Sequence, residues 1–307
     1  MKKVQVLLSA YNGEHYIAEQ INSIIHQSYP HISILIRDDG SSDRTMEVIQ
    51  ALVKTYPERI AVIQGRNVGV VASFLELMQD SDPHADYYCF CDQDDVWLEH
   101  KVQSALECLK PHDEEAAMVF TATRLADRAL QAQGIWPKPP KRQPSFYNAL
   151  VQNIAVGATI TVNKSARDLF VNYPGVEHNR IIMHDWWFYL IVSAMGHVIY
   201  DSNPSMLYRQ HGNNVIGGSN SVISKIRQKF RSFIRHRGKY MLRRQAEEFH
   251  RVYGHLLNKE KKSQLEMFIA PRKNVFQRVK YVRRSQLYRQ SLLEQCLFKF
   301  LIISGYI

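Results

Sequence analysis

From Val4 onward, short apolar runs alternate with segments whose apolar residues recur every three or four positions. "VQVLLSA" from Val4, "ISILIRDDG" from Ile32, "IAVIQG" from Ile60 and "YYCFC" from Tyr87 read as strands, each closed by polar or turn-forming residues. Between them Ile17, Ile21, Ile24 and Ile25, then Met46, Ile49, Leu52 and Val53, then "VVASFLELMQD", keep helical spacing. "VWLEHKVQSALECLK" predicts a fourth helix starting at Val96. Strands that alternate with helices imply an α/β fold with a mainly parallel, doubly wound sheet.

In open sheets of this kind, ligands bind beyond the carboxyl ends of the strands. The polar loops fall at those ends. They are Ser9-Ala10-Tyr11-Asn12, Asp38-Asp39-Gly40-Ser41-Ser42-Asp43, Gly65-Arg66-Asn67-Val68-Gly69 and Asp92-Gln93-Asp94-Asp95. Four loops on one rim predict one site.

Past Ala116 the pattern changes. "AAMVFTATRL" reads as a strand, "GIWPKPPKRQPSF" as a basic, Pro-rich surface loop, and "IAVGATITVN" as a return to the sheet. "HDWWFYLIVSAMG" predicts a helix and "HVIYD" a strand, while "SMLYRQHGNNVIGGSNS" starts as a strand and runs into a Gly- and Asn-rich loop.

Charge divides the chain. Residues 1–220 hold 18 Lys/Arg against 24 Asp/Glu, a balance of −6, whereas residues 221–307 hold 21 against 5, a balance of +16. The expected division is therefore a catalytic domain over 1–220 and a basic helical region over 221–307. No stretch reaches the ~18 apolar residues of a membrane span, and the start of the chain reads as a strand rather than a signal peptide. Cys89, Cys91, Cys108 and Cys296 are too scattered for a disulfide framework or a four-cysteine zinc site, which fits a cytoplasmic setting. Cys89 and Cys91 share one face of a strand and read as core.

The crowding of Asp92, Asp94 and Asp95 within four positions raises a chemical question. Neighbouring carboxylates repel and resist burial unless a cation or hydrogen-bond donors compensate them. A divalent-metal site is one answer, and a solvated turn capping the next helix is the other.

"LLSAYNGEHYIAEQINSIIHQSYP", "RDDGSSD", "RNVGVVASF", "DQDDVW" and "HDWW", in that order, resemble the inverting family 2 glycosyltransferases, especially rhamnosyltransferase-like members that build bacterial surface polysaccharides. The resemblance spans roughly Lys2 to Gly218. It implies a GT-A-type, Rossmann-like sheet flanked by helices, a nucleotide-sugar donor, a divalent cation (Mg2+ or Mn2+) and a single-displacement sugar transfer. With that context the metal reading prevails over the cap, because a departing nucleoside diphosphate needs its charge neutralised by a hard, oxygen-bound cation. The resemblance implies Asp94 as direct ligand, Asp92 at sugar or ribose as well as near the metal, and Asp95 in support. Gln93 departs from the commoner Asp-Ala-Asp-Asp form and lies beside the donor. Ala10, Tyr11, Asn12 and Asn67 are expected to line the nucleotide. One carboxylate of the Asp38 and Asp39 pair would accept the imide N–H of uracil or thymine, unless the pair merely starts a tight turn.

Direct displacement needs a general base at the acceptor hydroxyl, and Asp185 is the candidate by resemblance. As the residue before "WWFYLIVSAM" it also suits a helix N-cap. Trp186 and Trp187 read as core or as an acceptor platform. His211 is a candidate for metal or diphosphate, with Arg209 and Asn213 beside it as phosphate contacts. The expected partners are the nucleotide-diphosphate sugar, a glycan or lipid-linked acceptor, and an anionic membrane surface at the inner leaflet. That last partner is suggested by Ile226, Phe230, Phe233 and Ile234 among many basic residues. The alternative for this tail is a helical subdomain packed on the sheet or a subunit interface, so homo-oligomerisation stays open. Nucleic acid is not expected, since the acidic half repels phosphate and no binding motif is present. The rival functions are a nucleotidyltransferase, which lacks its phosphate loop here because "SAYNGEHY" carries no Lys/Arg-containing Gly-rich turn, and a non-enzymatic basic membrane-surface module.

Overall fold

The computed structural model describes residues 1–210 and 240–307. Strands β1 (Val4–Ala10), β2 (Ile32–Asp38), β3 (Ile60–Gln64) and β4 (Tyr87–Asp92) alternate with helices α1 (Ile17–Ile25), α2 (Thr45–Thr55) and α3 (Val70–Gln79), as the periodicity predicts. The predicted fourth helix begins later than expected. Val96–Trp97 form a short strand, β5, and α4 covers only Lys101–Leu109. The two β-prone residues pair with a strand more than a hundred positions away, an option that local spacing does not reveal.

"AAMVFTATRL" is split at Ala122 into β6 (Ala117–Thr121) and β7 (Thr123–Ala126). The end of the Pro-rich segment's approach is ordered as β8 (Ala132–Trp136), a strand where a loop is expected from Gly134. The short helix α5 (Phe146–Ala149), β9 (Thr161–Asn163), α6 (Lys164–Val171), α7 (His184–Met195), β10 (His197–Asp201) and β11 (Met206–Arg209) follow. Four C-terminal helices are described: α8 (Met241–Tyr253), α9 (Lys259–Ile269), α10 (Val275–Arg284) and α11 (Leu292–Ile303).

Among the described residues two sheets form, one in the order β10-β6-β9-β4-β1-β2-β3 and one in the order β5-β11-β7-β8. The first is parallel except at β9, which runs antiparallel to both β4 and β6. Its central strands are buried on both faces, and alternate side chains divide between two cores. Leu7, Tyr88 and Phe90 join the layer of α3 and α7, whereas Val6, Leu8, Cys89 and Cys91 join the layer of α1 and α4. Both cysteines are accordingly core residues, free and buried.

The C-terminal helices continue the first of these cores. Trp187 on α7 is fully buried, with its ring 5.8 Å from that of Phe249 and 6.1 Å from that of Tyr253, both on α8. Glu248 secures the join: it accepts from Glu177 N–H at 2.8 Å and pairs with Arg180 and Arg251. Leu265, Phe268, Tyr281, Phe298 and Ile302 extend the same apolar layer.

Candidate active site

The carboxyl ends of β1, β2 and β4 are tied into one rim by hydrogen bonds between their loops. Asp39 N–H donates to the Ala10 carbonyl at 2.7 Å, and Asn12 N–H to Ser41 Oγ at 2.9 Å. Asn12 adopts a left-handed backbone, φ 49°, which asparagine tolerates, and its Oδ1 accepts from Ser42 N–H at 2.8 Å. Gly40, at φ 79°, lets the β2 loop pass over the β3 loop, since a Cβ there would lie 2.9 Å from the Asn67 nitrogen. Asn67 itself is exposed on this rim, as is much of Tyr11.

The two carboxylates at the end of β2 do different things. Asp39 is buried against Arg37 and accepts from the N–H groups of Val68 and Gly69 at 2.9 Å each, so it closes the loop that starts α3. Asp38 accepts from Ser41 N–H at 3.1 Å through Oδ2, while its buried Oδ1 has no hydrogen-bond partner among the described residues. Arg37 is the residue that sequence reasoning passed over. A charged side chain closing an otherwise apolar strand was its available signal.

Gln93 has a more specific place than beside the donor. Its Oε1 accepts from Tyr11 N–H at 2.8 Å and its Nε2 donates to the Tyr11 carbonyl at 2.9 Å. This two-bond clamp joins the loop after β1 to the acidic loop after β4. It also requires Gly13, because a Cβ at that position would meet Gln93 Oε1 at 2.2 Å.

The three acidic residues are not equivalent. Asp92 ends β4 with part of its surface open, and burial first, then Asp94 and Asp185, push its carboxyl up to about 7. Asp94 is half-buried in the loop. Asp95 turns inward: its Oδ1 accepts from Arg209 N–H at 3.0 Å, and its buried Oδ2 has no hydrogen-bond partner among the described residues. Burial raises the Asp95 pKa well above the carboxylate range, with Asp94 and Asp92 adding to it. Asp95 thus anchors β11 beneath the loop. Arg209 is engaged there too, donating to the carbonyls of Asp94 at 2.9 Å and Arg128 at 2.7 Å and pairing with Glu19. Its guanidinium braces the acidic loop.

Among the described residues no three His, Cys, Asp or Glu side chains converge as a complete metal cage. The donor set nevertheless fits a hard divalent cation held by one or two carboxylates, its remaining ligands supplied by phosphate oxygens and water. The physical sign is Asp92, which burial raises and the charges of Asp94 and Asp185 raise further, a strain that a cation would relieve.

Asp185 is the second residue of α7, so Met183 occupies the N-cap position and the cap reading does not hold. The Asp185 carboxyl is buried, accepts from Trp186 N–H at 2.7 Å, and is also hydrogen-bonded by the Asn153 side chain and Gly157 N–H. Burial pushes it up to about 6, and these donors, with its own backbone N–H, hold it from rising further. Asn153 carries no motif that would have marked it. Its Oδ1 accepts from Ala155 N–H at 3.1 Å, which orients the amide. Next door, His184 stacks on Phe74 at 3.9 Å and burial lowers it to about 3, so it is a neutral wall. Trp187 belongs to the core, while half-buried Trp186 donates Nε1–H to the Ala149 carbonyl at 2.6 Å. His211 and Asn213 lie outside the described residues, as do Ile226, Phe230, Phe233 and Ile234.

A mostly parallel α/β sheet whose carboxyl rim joins the loop after β1, an acidic loop and a buried aspartate defines a fold of the GT-A type, the class of nucleotide-sugar transferases. Residues 5–170 match the model of glycosyl transferase family 2, and the chain belongs to that family. It is 30% identical over 229 residues, 72% of this chain and 77% of the relative, to dTDP-rhamnosyl transferase RfbG of Shigella flexneri. The crystal structure of S. aureus TarS 1–349 is similar in fold, with a TM-score of 0.59 at 16% identity, covering 99% of this chain and 81% of that one. So is mannosyltransferase PcManGT from Pyrobaculum calidifontis in complex with GDP-Man and Mn2+, with a TM-score of 0.52 at 16% identity over the same shares. The protein is a nucleotide-sugar-dependent glycosyltransferase. The nucleotidyltransferase and non-enzymatic readings are set aside.

Proposed function

We propose that this enzyme transfers L-rhamnose from dTDP-rhamnose, with inversion, to a hydroxyl of a growing polysaccharide or lipid-linked glycan. The observation that carries the mechanism is Asp185 facing the acidic loop closely enough to raise Asp92. The likeness to RfbG over most of the chain supports the donor sugar. One carboxylate of the Asp38 and Asp39 pair accepts the imide N–H of the base, Asp38 in this reading because Asp39 already binds Arg37 and the N–H groups of Val68 and Gly69, and Tyr11 packs beside the ring, with Ala10, Asn12 and Asn67 lining the nucleotide. Gln93 holds Tyr11 in place for that contact. Because uracil and thymine share this imide, a UDP-sugar is the second reading.

Asp94, with Asp92 at the sugar, would hold a divalent cation, Mg2+ or Mn2+, which when bound neutralises charge on the diphosphate. Asp95 supports the loop from below. Asp185, ionised above about pH 6, takes the proton of the acceptor hydroxyl as that oxygen bonds to the anomeric carbon. The bond from that carbon to the diphosphate breaks, and its electron pair leaves with the nucleoside diphosphate. Attack from the face opposite the leaving group inverts the anomeric centre.

Residues 1–220 form the catalytic unit in this reading, and the basic region 221–307 holds the enzyme at the inner face of the membrane, where a lipid-linked acceptor resides. Among the described residues no helix is long and apolar enough to cross a membrane. Incubation with dTDP-rhamnose, UDP-glucose, UDP-N-acetylglucosamine and GDP-mannose, with and without Mg2+ or Mn2+, tests the donor and the cation. Turnover of GDP-mannose alone would overturn the base assignment. Retention of configuration in the product, read by NMR, would overturn the displacement.

A further inference from the structure

A packed amphipathic helix buries its apolar stripe and shows a polar one to water. Helix α11 breaks this pattern. Phe298 and Ile302 face the core, yet the opposite side presents Leu292, Leu293, Leu297 and Phe300, which are 81%, 72%, 51% and 64% exposed. Cys296 lies on the same side. Neighbouring α10 runs antiparallel to it, with Arg278 Nη1 donating to the Ile303 carbonyl at 3.4 Å. This brings Phe276, 87% exposed, toward the Phe300 end. The outward side of α10 otherwise carries Lys280, Arg283 and Arg284, all exposed, with Lys273 just before the helix. Over residues 271–307 there are eight Lys/Arg and one acidic residue, Glu294, a balance of +7.

We infer that the paired outer faces of α10 and α11 are the surface by which the enzyme sits on an anionic lipid bilayer, Leu and Phe entering the acyl boundary and Lys and Arg meeting the headgroups. Exposed Leu and Phe side chains flanked by one sign of charge call for a partner that is apolar and oppositely charged. A second copy is the poorer occupant, because a two-fold contact would set one basic rim against another. The position suits the chemistry as well. Arg289 Nη2 donates to the Val151 carbonyl at 2.7 Å, and Gln152 donates to Glu294 at 3.0 Å, so the hairpin is braced on the loop whose next residue, Asn153, holds Asp185. A lipid-linked acceptor in the same bilayer would arrive on the side of the general base.

This inference rests on the reading of the enzyme as membrane-peripheral, and the test separates the two. The full chain is sedimented with phosphatidylglycerol-containing vesicles and with phosphatidylcholine-only vesicles at low and high salt, alongside Leu292→Glu/Leu293→Glu and Arg283→Glu/Arg284→Glu. The expected result is salt-sensitive binding of the parent to anionic vesicles only, with each double variant losing about tenfold or more in partitioning. Sugar transfer to a soluble acceptor stays unchanged and shows that the variants are folded. If the parent binds and both variants bind equally well, the face is wrong while the membrane reading stands. If the parent ignores anionic vesicles at low salt, both fall. If light scattering finds a dimer that Leu292→Glu/Leu293→Glu dissociates, the face is a self-interface and the inference is overturned.

Discussion

The carboxyl rim of β1, β2 and β4 and the outer hairpin of α10 and α11 are opposites in what they leave unsatisfied. On the rim it is polar capacity: Asp38 Oδ1 and Asp95 Oδ2 are buried without hydrogen-bond partners among the described residues, and burial, with Asp94 and Asp185 adding to it, pushes the Asp92 carboxyl up to about 7. On the hairpin it is apolar surface, with leucines and phenylalanines in water. Each region is costly to the isolated chain, and in the readings proposed above each takes a different class of ligand, a cation with nucleotide phosphate at the rim and a lipid surface at the hairpin. The difference teaches that two surfaces of one chain can be told apart by the sign of the unmet demand. Helix α7 lies between them, presenting Asp185 to the rim and Trp187 to the C-terminal helices.

Substitutions should break the two regions independently. Asp94→Ala is expected to abolish sugar transfer, a larger loss than removal of the base, with the circular dichroism spectrum unchanged. Wild-type turnover by that variant would remove Asp94 from the cation site. Asp185→Asn keeps shape but not basicity, so kcat should fall ~10²–10⁴-fold with donor affinity retained. The wild-type rate should rise with pH through about 6, where Asp185 ionises, and the variant should lack that limb. A loss of stability and donor affinity instead would make Asp185 a structural residue.

Gln93→Ala removes both bonds to Tyr11, each worth about 0.5–1.5 kcal/mol, and should weaken donor binding by about tenfold while kcat changes little. An unchanged donor KM would show that the clamp does not order the rim.

The smallest effect concerns stability. Asp92 and Asp185 have folded-state values of about 7 and about 6, above the ordinary carboxylate value. The folded protein therefore holds more protons than the unfolded chain between about pH 4 and 7, and stability falls as pH rises across that window. Without divalent cation, Asp92→Asn should raise the melting temperature at pH 8 by a few degrees and flatten this slope, and saturating Mn2+ should narrow the gap from wild type. A melting temperature that is lower at pH 8 than wild type would mean that Asp92 is compensated within the chain.

Much of the rim was legible because its signals are local. Strand and helix periods, Asp-Gly turns and the order of polar loops are properties of adjacent residues, and the rule that sites lie at carboxyl strand ends placed four loops together before any coordinates. Local spacing starts α4 at Val96, too early, because a two-residue strand depends on its distant partner, Met206–Leu207. Spacing groups Asp95 with its neighbours because it cannot show which way a loop side chain turns.

By itself, then, the sequence determined the βα order, the basic character of the C-terminal region and the set of residues from which a sugar-transfer site could be built. Each of these follows from residue type and short-range spacing. Only the tertiary structure decided that Gln93 clamps Tyr11, that Asn153 holds Asp185, and that the leucines of α11 face outward while Phe298 faces in. Those facts depend on which elements pack together across long sequence separations. A helix with apolar residues on both sides does not announce which one the core will take.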